Sequence, residues 1–549
     1  MKANKSASKG IMAALLACLL VVTTACTSNS GPATTEKPTN NKGSEPNNLP
    51  IAKGDVTLKI YVDFGGSAKQ VLKSLGEHSV VKKLSKDTGL KFEFIHPPEG
   101  DDGTFFNTTL ASGQYPDLFY VSNFNNYPGG AEGAMKDKII LNIDSLISQY
   151  APNFLKMVKD KGGDTEKWIR GDGGAITKFG TMFLPPFVDA RIHNGLVVRK
   201  DLLEKYGLKA PETLEDYTNV LRTFKQKGIE VPLALPAFKE TAVGQVNPIA
   251  SAFGVSINDF QLEDNGNKVI YSRTDPRFKE FLTFMNGWVK EGLIDRDFIS
   301  RNTTDANKLF YNGRAGMTFM HNASTKQALA VGTLQDPKYD VQGILYPRKE
   351  KGGELHLSRQ ALSVNPFAWY VSATSKHPKE AVKLIDYLHT QEAQLLTAWG
   401  VGDQEFPTFE VDKNGKRQFT DFMNKNPKMD FPTARSVYTA GAFQVMYDDE
   451  MERQQYNISQ NLQIWEAWAT KNDNKQKMPH VMSLSVEESK EFTGIMNKIN
   501  NYADEMVYKF ILGEVPLDQF DAFVANIKKL GSDRAVELQQ QAYKRFKSR

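Results

Sequence analysis

Cysteine is almost absent from this chain: two among 549 residues, Cys18 and Cys26, both near the start. A disulfide framework or a cysteine-based metal cluster cannot therefore hold the body together. Long apolar runs are equally scarce. Ile11 to Val22 is too short to cross a bilayer, and no second stretch comes close. Charge of one sign accumulates nowhere: the formal balance is +4, and setting aside Lys2, Lys5 and Lys9 leaves +1. Nucleic-acid binding needs a clustered basic footprint, so that partner is excluded. The HExxH, GxSxG and phosphate-loop motifs are missing and the eight histidines stand singly, which argues against zinc hydrolysis and triad chemistry. No internal repeat is present.

What the start does contain is a bacterial lipoprotein export signal. Three lysines precede the apolar run, and Thr23-Thr24-Ala25-Cys26 follows it. Cleavage before Cys26 and lipidation of its thiol are expected, with residues 1–25 removed and the chain anchored on the outer face of the cytoplasmic membrane. Thr23 occupies a place where such signals usually carry a branched apolar residue; an ordinary secretory signal or an uncleaved anchor is the other reading. Residues 26–50, rich in Ser, Thr, Asn, Gly and Pro, bury too little to fold and read as a flexible tether. The remainder is long enough for two large domains stabilised by packing alone.

The body opens with alternating strands and helices. Val56 to Val62, Leu90 to Ile95 and Leu118 to Val121 read as strands, with helices from about Ala68 and around Phe105 to Leu110, and this predicts an α/β lobe. Ligands in such sheets lie beyond the carboxyl ends of the strands, which draws attention to Asp63, Phe64 and the loop Asn123 to Tyr127. Thr213 and Asp216 form a capping-box pattern ahead of Leu214, Tyr217, Leu221 and Phe224 on one helical face, and Gly228 ends that run. Another helix starts at Pro378. Asp264-Asn265-Gly266 and Asp412-Lys413-Asn414-Gly415 are turn signals; the second begins like a calcium loop but reaches glycine early and lacks the distal glutamate, so a hairpin is expected. From about Val486 the chain is mostly helical.

Five blocks in order carry a family resemblance. Leu110 to Leu118, with Ala111-Ser112-Gly113 and Pro116-Asp117, Leu196 to Leu208 followed by Pro211 and Thr213, Phe310 to Met317, Ser375 to Pro378, and Tyr502 to Gly513 with Gln541 to Phe546 are similar to segments of extracellular solute-binding proteins of ABC transporters. The likeness is to the carbohydrate-binding group that includes maltose-binding protein, within it the large lipoproteins associated with complex oligosaccharides. The resemblance implies a two-lobed α/β periplasmic-binding-protein-like fold of the second type, with a hinge crossed more than once. One lobe would comprise residues 51–190 and 366–410, the other 191–365 and 411–549. It further implies a monomer without cofactor or catalytic residues; no metal ligands are singled out, although some relatives of this kind bind calcium. An oligosaccharide would be its ligand, ABC permease subunits its partners, and lipid on Cys26 its tie to the membrane.

Sugar rings offer an apolar C–H face and a rim of hydroxyls, so a site needs aromatic platforms with carboxylate, amide or guanidinium partners. Phe64, Phe124, Tyr127, Trp369, Trp465 and Trp468 are the candidate aromatics, each able to serve either core or platform. Asp63, Asn123, Asn126, Arg191, His321 and Asn322 are the polar candidates. Trp465 and Trp468 share one helical face, which favours packing for at least one of them. The maltodextrin site itself is not carried over, because Ala323 stands where that group has a stacking tryptophan. Arg191 and His321 would suit an acidic sugar, or be a surface ion pair and a loop histidine. A secreted glycoside hydrolase is the rival class, but no spacing reveals its paired carboxyl groups. A lipoprotein for glycan adhesion or sensing is the third.

Overall fold

The computed structural model describes residues 49–98, 101–162, 164–183, 193–239, 247–257, 260–357, 364–447, 449–455, 458–469, 475–479 and 482–549. In chain order the strands are β1 (Val56–Val62), β2 (Leu90–Ile95), β3 (Leu118–Val121), β4 (Phe179–Phe183), β5 (Asn194–Arg199), β6 (Val231–Ala234) and β7 (Phe260–Glu263). They continue as β8 (Lys268–Tyr271), β9 (Ala315–His321), β10 (Val341–Gly343), β11 (Val364–Val371), β12 (Phe409–Val411), β13 (Arg417–Phe419) and β14 (Met446–Tyr447). The helices used below are α1 (Ser79–Thr88), α2 (Gly130–Lys136), α3 (Leu214–Gln226), α4 (Pro276–Lys290), α5 (Pro378–Leu388), α6 (Ser459–Ala469), α7 (Val486–Leu512), α8 (Phe520–Lys529) and α9 (Ser532–Ser548).

Two sheets organise the body. The first has the order β2-β1-β3-β11-β4-β14, the second β10-β5-β9-β6. In the first sheet β1 runs parallel to β2 and β3, while β11 inserts antiparallel between β3 and β4. All four residues of β3 and all six of β5 are buried, as expected of strands covered on both faces. Each sheet has its own core. Leu58, Ile60, Phe119, Phe154, Tyr370 and Leu384 belong to the first; Leu196, Phe224, Phe281, Trp288, Phe319 and Phe510 belong to the second.

Local chemistry sets the ends of the elements. Thr213 accepts the Asp216 amide at 3.1 Å and the Asp216 carboxylate accepts the Thr213 amide at 2.9 Å, closing the capping box of α3. Ser485 and Glu488 do the same for α7, which stops at Gly513 with φ +74°. Asp264 and Asn265, both at φ +52°, make the hairpin turn between β7 and β8. Asp412 accepts the amides of Asn414 and Lys416 between β12 and β13, so that segment is the expected hairpin.

One boundary differs from expectation. Residues 411–447 do not join the second lobe: β14 pairs with β4, and Ala440, Phe443, Val445 and Met446 pack into the core of the first sheet. Phe419, Met423 and Ala434 pack with Trp399 beside it. The return to the second sheet comes later, where Ile464 and Trp468 of α6 pack near β10. Beyond it, α7, α8 and α9 add Ile499, Phe510, Phe523, Ala535 and Phe546 to the second core. No helix of the described residues is long and apolar enough to cross a membrane.

Candidate functional site

The carboxyl ends of β1 and β2 carry a compact polar and aromatic cluster. Asp63 pairs with Lys69 at 2.8 Å and accepts the Gly65 amide at 3.3 Å, while Lys69 also donates to the Pro97 carbonyl at 3.1 Å. Phe64 leans on the His96 ring at 4.3 Å, and Phe94 stacks on the same ring at 5.6 Å. His96 Nδ1 donates to the Val62 carbonyl at 2.8 Å, which leaves Nε2 to accept from the Leu75 amide at 3.3 Å. Burial lowers the His96 pKa, so the ring is the neutral tautomer that this bonding requires. Asp63, Phe64, Lys69 and His96 are all half-buried, with part of each surface open.

On the second sheet, β9 ends at His321 directly opposite Asn194, where β5 begins. The His193 and His321 rings lie 5.5 Å apart and 6° from parallel. His321 Nδ1 accepts the Ala323 amide at 3.0 Å, which fixes the turn after the strand. These two histidines therefore stand at the end of the second sheet that the chain enters from β4.

The other sequence candidates fall into different places. Phe124 is fully buried against Tyr370 at 4.8 Å and Phe106 at 5.1 Å. Trp369 is fully buried between Tyr120 at 4.9 Å and Phe443 at 5.3 Å. Trp468 is fully buried as well, its indole donating to the Leu196 carbonyl at 3.0 Å and lying flat over Gly195, where a Cβ would collide with it. Asn322 is buried too, its amide bonded to the Asn461 carbonyl at 3.2 Å while Asn461 returns a bond at 3.3 Å. These four are packing residues, with no face left for a ligand. Trp465 retains only a sliver of surface on α6. Asn123 is half-buried in the turn after β3, and Tyr127 bonds through its hydroxyl to Asp137 at 2.7 Å. Burial and that carboxylate push the Tyr127 phenol up to about 12. Arg191 and the side chain of Asn126 lie outside the described residues.

Phe367 was not among the candidates, and the fold makes it one. β11 runs antiparallel to β3, so its first residues lie at the carboxyl end of the parallel strands; Ala368 is level with Val121, the last residue of β3. Phe367 comes just before that level and is 39% exposed, while its ring contacts Tyr120 at 5.7 Å. Phe367 and Trp369, two residues apart on β11, both contact the Tyr120 ring, but only Phe367 keeps an exposed surface. Among the described residues no group of three or more metal-ligating side chains comes together. The cluster offers apolar ring surface beside hydrogen-bonding groups.

Comparisons with known proteins agree with this architecture. Residues 75–395 match the family model of bacterial extracellular solute-binding proteins. A fructooligosaccharide ABC transporter substrate-binding protein of Streptococcus pneumoniae is 22% identical over 62% of the chain, and a Bacillus subtilis protein described as Lipoprotein LipO is 24% identical over 59%. The aligned part spans 63% of the length of each, less than two thirds. A polygalacturonan/rhamnogalacturonan-binding protein of Bacillus subtilis is 20% identical over 85% of this chain and 88% of its own. Among solved structures, the solute-binding protein of Bifidobacterium longum infantis described as binding HMO superposes with a TM-score of 0.73 at 16% identity. It covers 90% of this chain and 99% of that one. The fold is thus the two-lobed α/β fold of solute-binding proteins.

Proposed function

We propose that this chain, which belongs to the bacterial extracellular solute-binding protein family, captures an oligosaccharide between its two lobes and delivers it to the permease subunits of an ABC transporter. The observation that carries the reading is Phe367, exposed at the end of the first sheet where ligands of such sheets bind. Phe64 and the Asp63–Lys69 pair stand at the same end of that sheet. An aromatic face beside ionic hydrogen-bonding groups matches the apolar ring face and hydroxyl rim of a pyranose or furanose. Relatives described as binding fructooligosaccharide and polygalacturonan support a glycan ligand, and family members are binding proteins rather than enzymes. His193 and His321 would face the ligand from the second lobe. Closure of the lobes on the sugar would then present the permease with a surface that the open form lacks.

Lipid on Cys26 would hold the protein at the outer face of the cytoplasmic membrane, a reading supported by the export signal and by a relative described as a lipoprotein. The test is thermal unfolding of the full chain in mild detergent across neutral and acidic oligosaccharides, with monosaccharides and peptides as controls. Ligand at one hundred times its dissociation constant adds about 2.7 kcal/mol. Stabilisation by one glycan class, with the glycan recovered intact, is the expected result. Shortened glycan, or stabilisation by peptides alone, would overturn the proposal.

A further inference from the structure

An ionic network centred on Asp172 ties the segment before β4 to the end of α9. Its carboxylate takes Arg549 at 2.5 Å and Arg545 at 2.7 Å, both from the end of the chain on and after α9. Arg549 also donates to the carbonyls of Lys167 and Arg170 at 3.2 and 3.0 Å and to Ser483 Oγ at 3.2 Å. Next to this network is a cavity of about 30 Å³ whose charged lining is Glu132, Arg170, Lys178 and Arg549, with Ser483 beside them. Three cations and one carboxylate line its wall, and further carboxylates outside the lining pair with Arg549 and Arg170.

Each of those charges has a partner except one. Arg170 is held by Asp144 at 3.3 Å and Glu166 at 3.2 Å; Glu132 is held by Lys136 at 3.0 Å and the Gly173 amide at 2.9 Å. Lys178 is 7% exposed and makes neither a hydrogen bond nor an ion pair among the described residues. Its ammonium only rides over the Trp168 ring, 4.7 Å from the centroid. A ring face leaves the N–H donors unanswered, and a buried ammonium without an anion is strongly disfavoured. Burial and the nearby Arg549 accordingly lower its pKa to about 7.

We infer that this cavity is a carboxylate-binding site, in which a single carboxylate group completes the ion pairing of Lys178 and bonds to Ser483. A water needs about 10–15 Å³, so a cavity of about 30 Å³ has room for a small group such as a carboxylate. Ser483 and Gly130 also line an adjoining groove of about 280 Å³, whose other walls include Tyr127, Ser489, Thr493 and Gln539. The carboxylate therefore arrives either as a small free acid or as the acid group of a sugar lying in that hydroxyl- and amide-lined groove. The groove reaches Tyr127 in the turn after β3, while the carboxylate site itself uses none of Asp63, Phe64, Lys69 or His96.

Isothermal titration of the full chain with sodium formate, sodium galacturonate and galactose, at constant ionic strength, tests the inference. Wild type is expected to bind formate or galacturonate, and Lys178→Met to lose at least tenfold in affinity. Lys178→Met removes an unpaired buried charge and is expected to fold; Ser483→Ala, with a smaller loss, is the second variant. The charged groups that share the cavity wall with Lys178 are Arg170, Arg549 and Glu132, and Asp172 reaches the site through Arg549. With the Lys178 pKa about 7, its protonated fraction and hence the affinity fall about tenfold from pH 6 to pH 8. Galacturonate binding tighter than formate identifies an acidic sugar as the source, and the reverse identifies a free acid. Galactose binding as well as galacturonate, equal binding by Lys178→Met, or no binding by wild type would overturn the inference.

Discussion

Replacing Asp172 with asparagine keeps the volume of the side chain and removes only its charge, so it isolates what the network contributes. The carboxylate is 20% exposed, Arg549 3% and Arg545 33%. The substituted amide would offer one oxygen where the carboxylate served two guanidinium groups, and it would turn N–H donors toward a buried cation. Breaking a fully buried pair costs about 3–5 kcal/mol. Here Arg545 keeps Glu488 at 2.5 Å and Arg549 keeps two carbonyls and Ser483, so the loss is discounted to about 2–3 kcal/mol. Equilibrium urea unfolding followed by tryptophan fluorescence and circular dichroism reads this, provided that the two probes give coincident transitions. The double variant Asp172→Asn with Arg549→Met should recover part of the loss, because an apolar replacement leaves no buried cation unmatched. A single-variant loss below about 0.5 kcal/mol, the size of an ordinary surface substitution, would refute the claim that Asp172 ties the segment before β4 to the end of α9.

Phe367→Ala should weaken oligosaccharide binding by about 0.5–1.5 kcal/mol, with little change in the unfolding midpoint of the ligand-free protein, as titration and melting can show. Trp369→Ala, two residues along the same face, should instead destabilise the fold by about 3–5 kcal/mol; a variant that folds normally but no longer binds sugar would contradict its assignment to the core. Gly195→Ala drives a methyl into the Trp468 indole and should cost about 1–3 kcal/mol in a urea melt. His78 and His389 are both buried with pKa lowered to about 4, so the unfolded chain binds protons more readily between there and pH 6.5. Their neutral burial is free of penalty above pH 6.5 and costs progressively more as pH falls, up to about 3 kcal/mol each near pH 4; His389→Gln should flatten that part of the pH–stability curve.

Secondary structure was legible wherever short-range chemistry decides it. The first three strands begin and end where alternation placed them, and Thr213, Gly228, Pro378 and the two Asn–Gly turns act as expected because caps and tight turns need only a few neighbouring residues. The assignment of residues 411–447 was not legible, since β14 is two residues long and its partner β4 lies more than 250 residues earlier. Nor was the exposure of aromatics. Phe124, Trp369 and Trp468 have the same composition-level credentials as Phe64, and only the packing around them decides that they are core. Lys178 gave no signal at all: its isolation arises from Trp168, Arg549 and Ser483, two of them more than 300 residues away.

The sheet topology explains why β11 presents an exposed ring at this end of the first sheet. Parallel strands β1 and β3 bring their last residues to the ligand end, so their side chains there are followed at once by turns such as Asp63 to Gly65 and Asn123 to Asn126. An antiparallel strand arrives at that end with its first residues and continues into the sheet: β11 pairs with both β3 and β4 from Ala368, one residue after Phe367. Phe367 is thus carried on β11, its ring against Tyr120, which in turn rests on Trp369. A ring fixed in this way loses little further freedom when a sugar covers it, and rigid placement of contact groups is what turns a small apolar contact into affinity. The same logic locates platforms in other sheets of this topology: they should be sought in the first residues of the inserted antiparallel strand, on the face its deeper aromatics share.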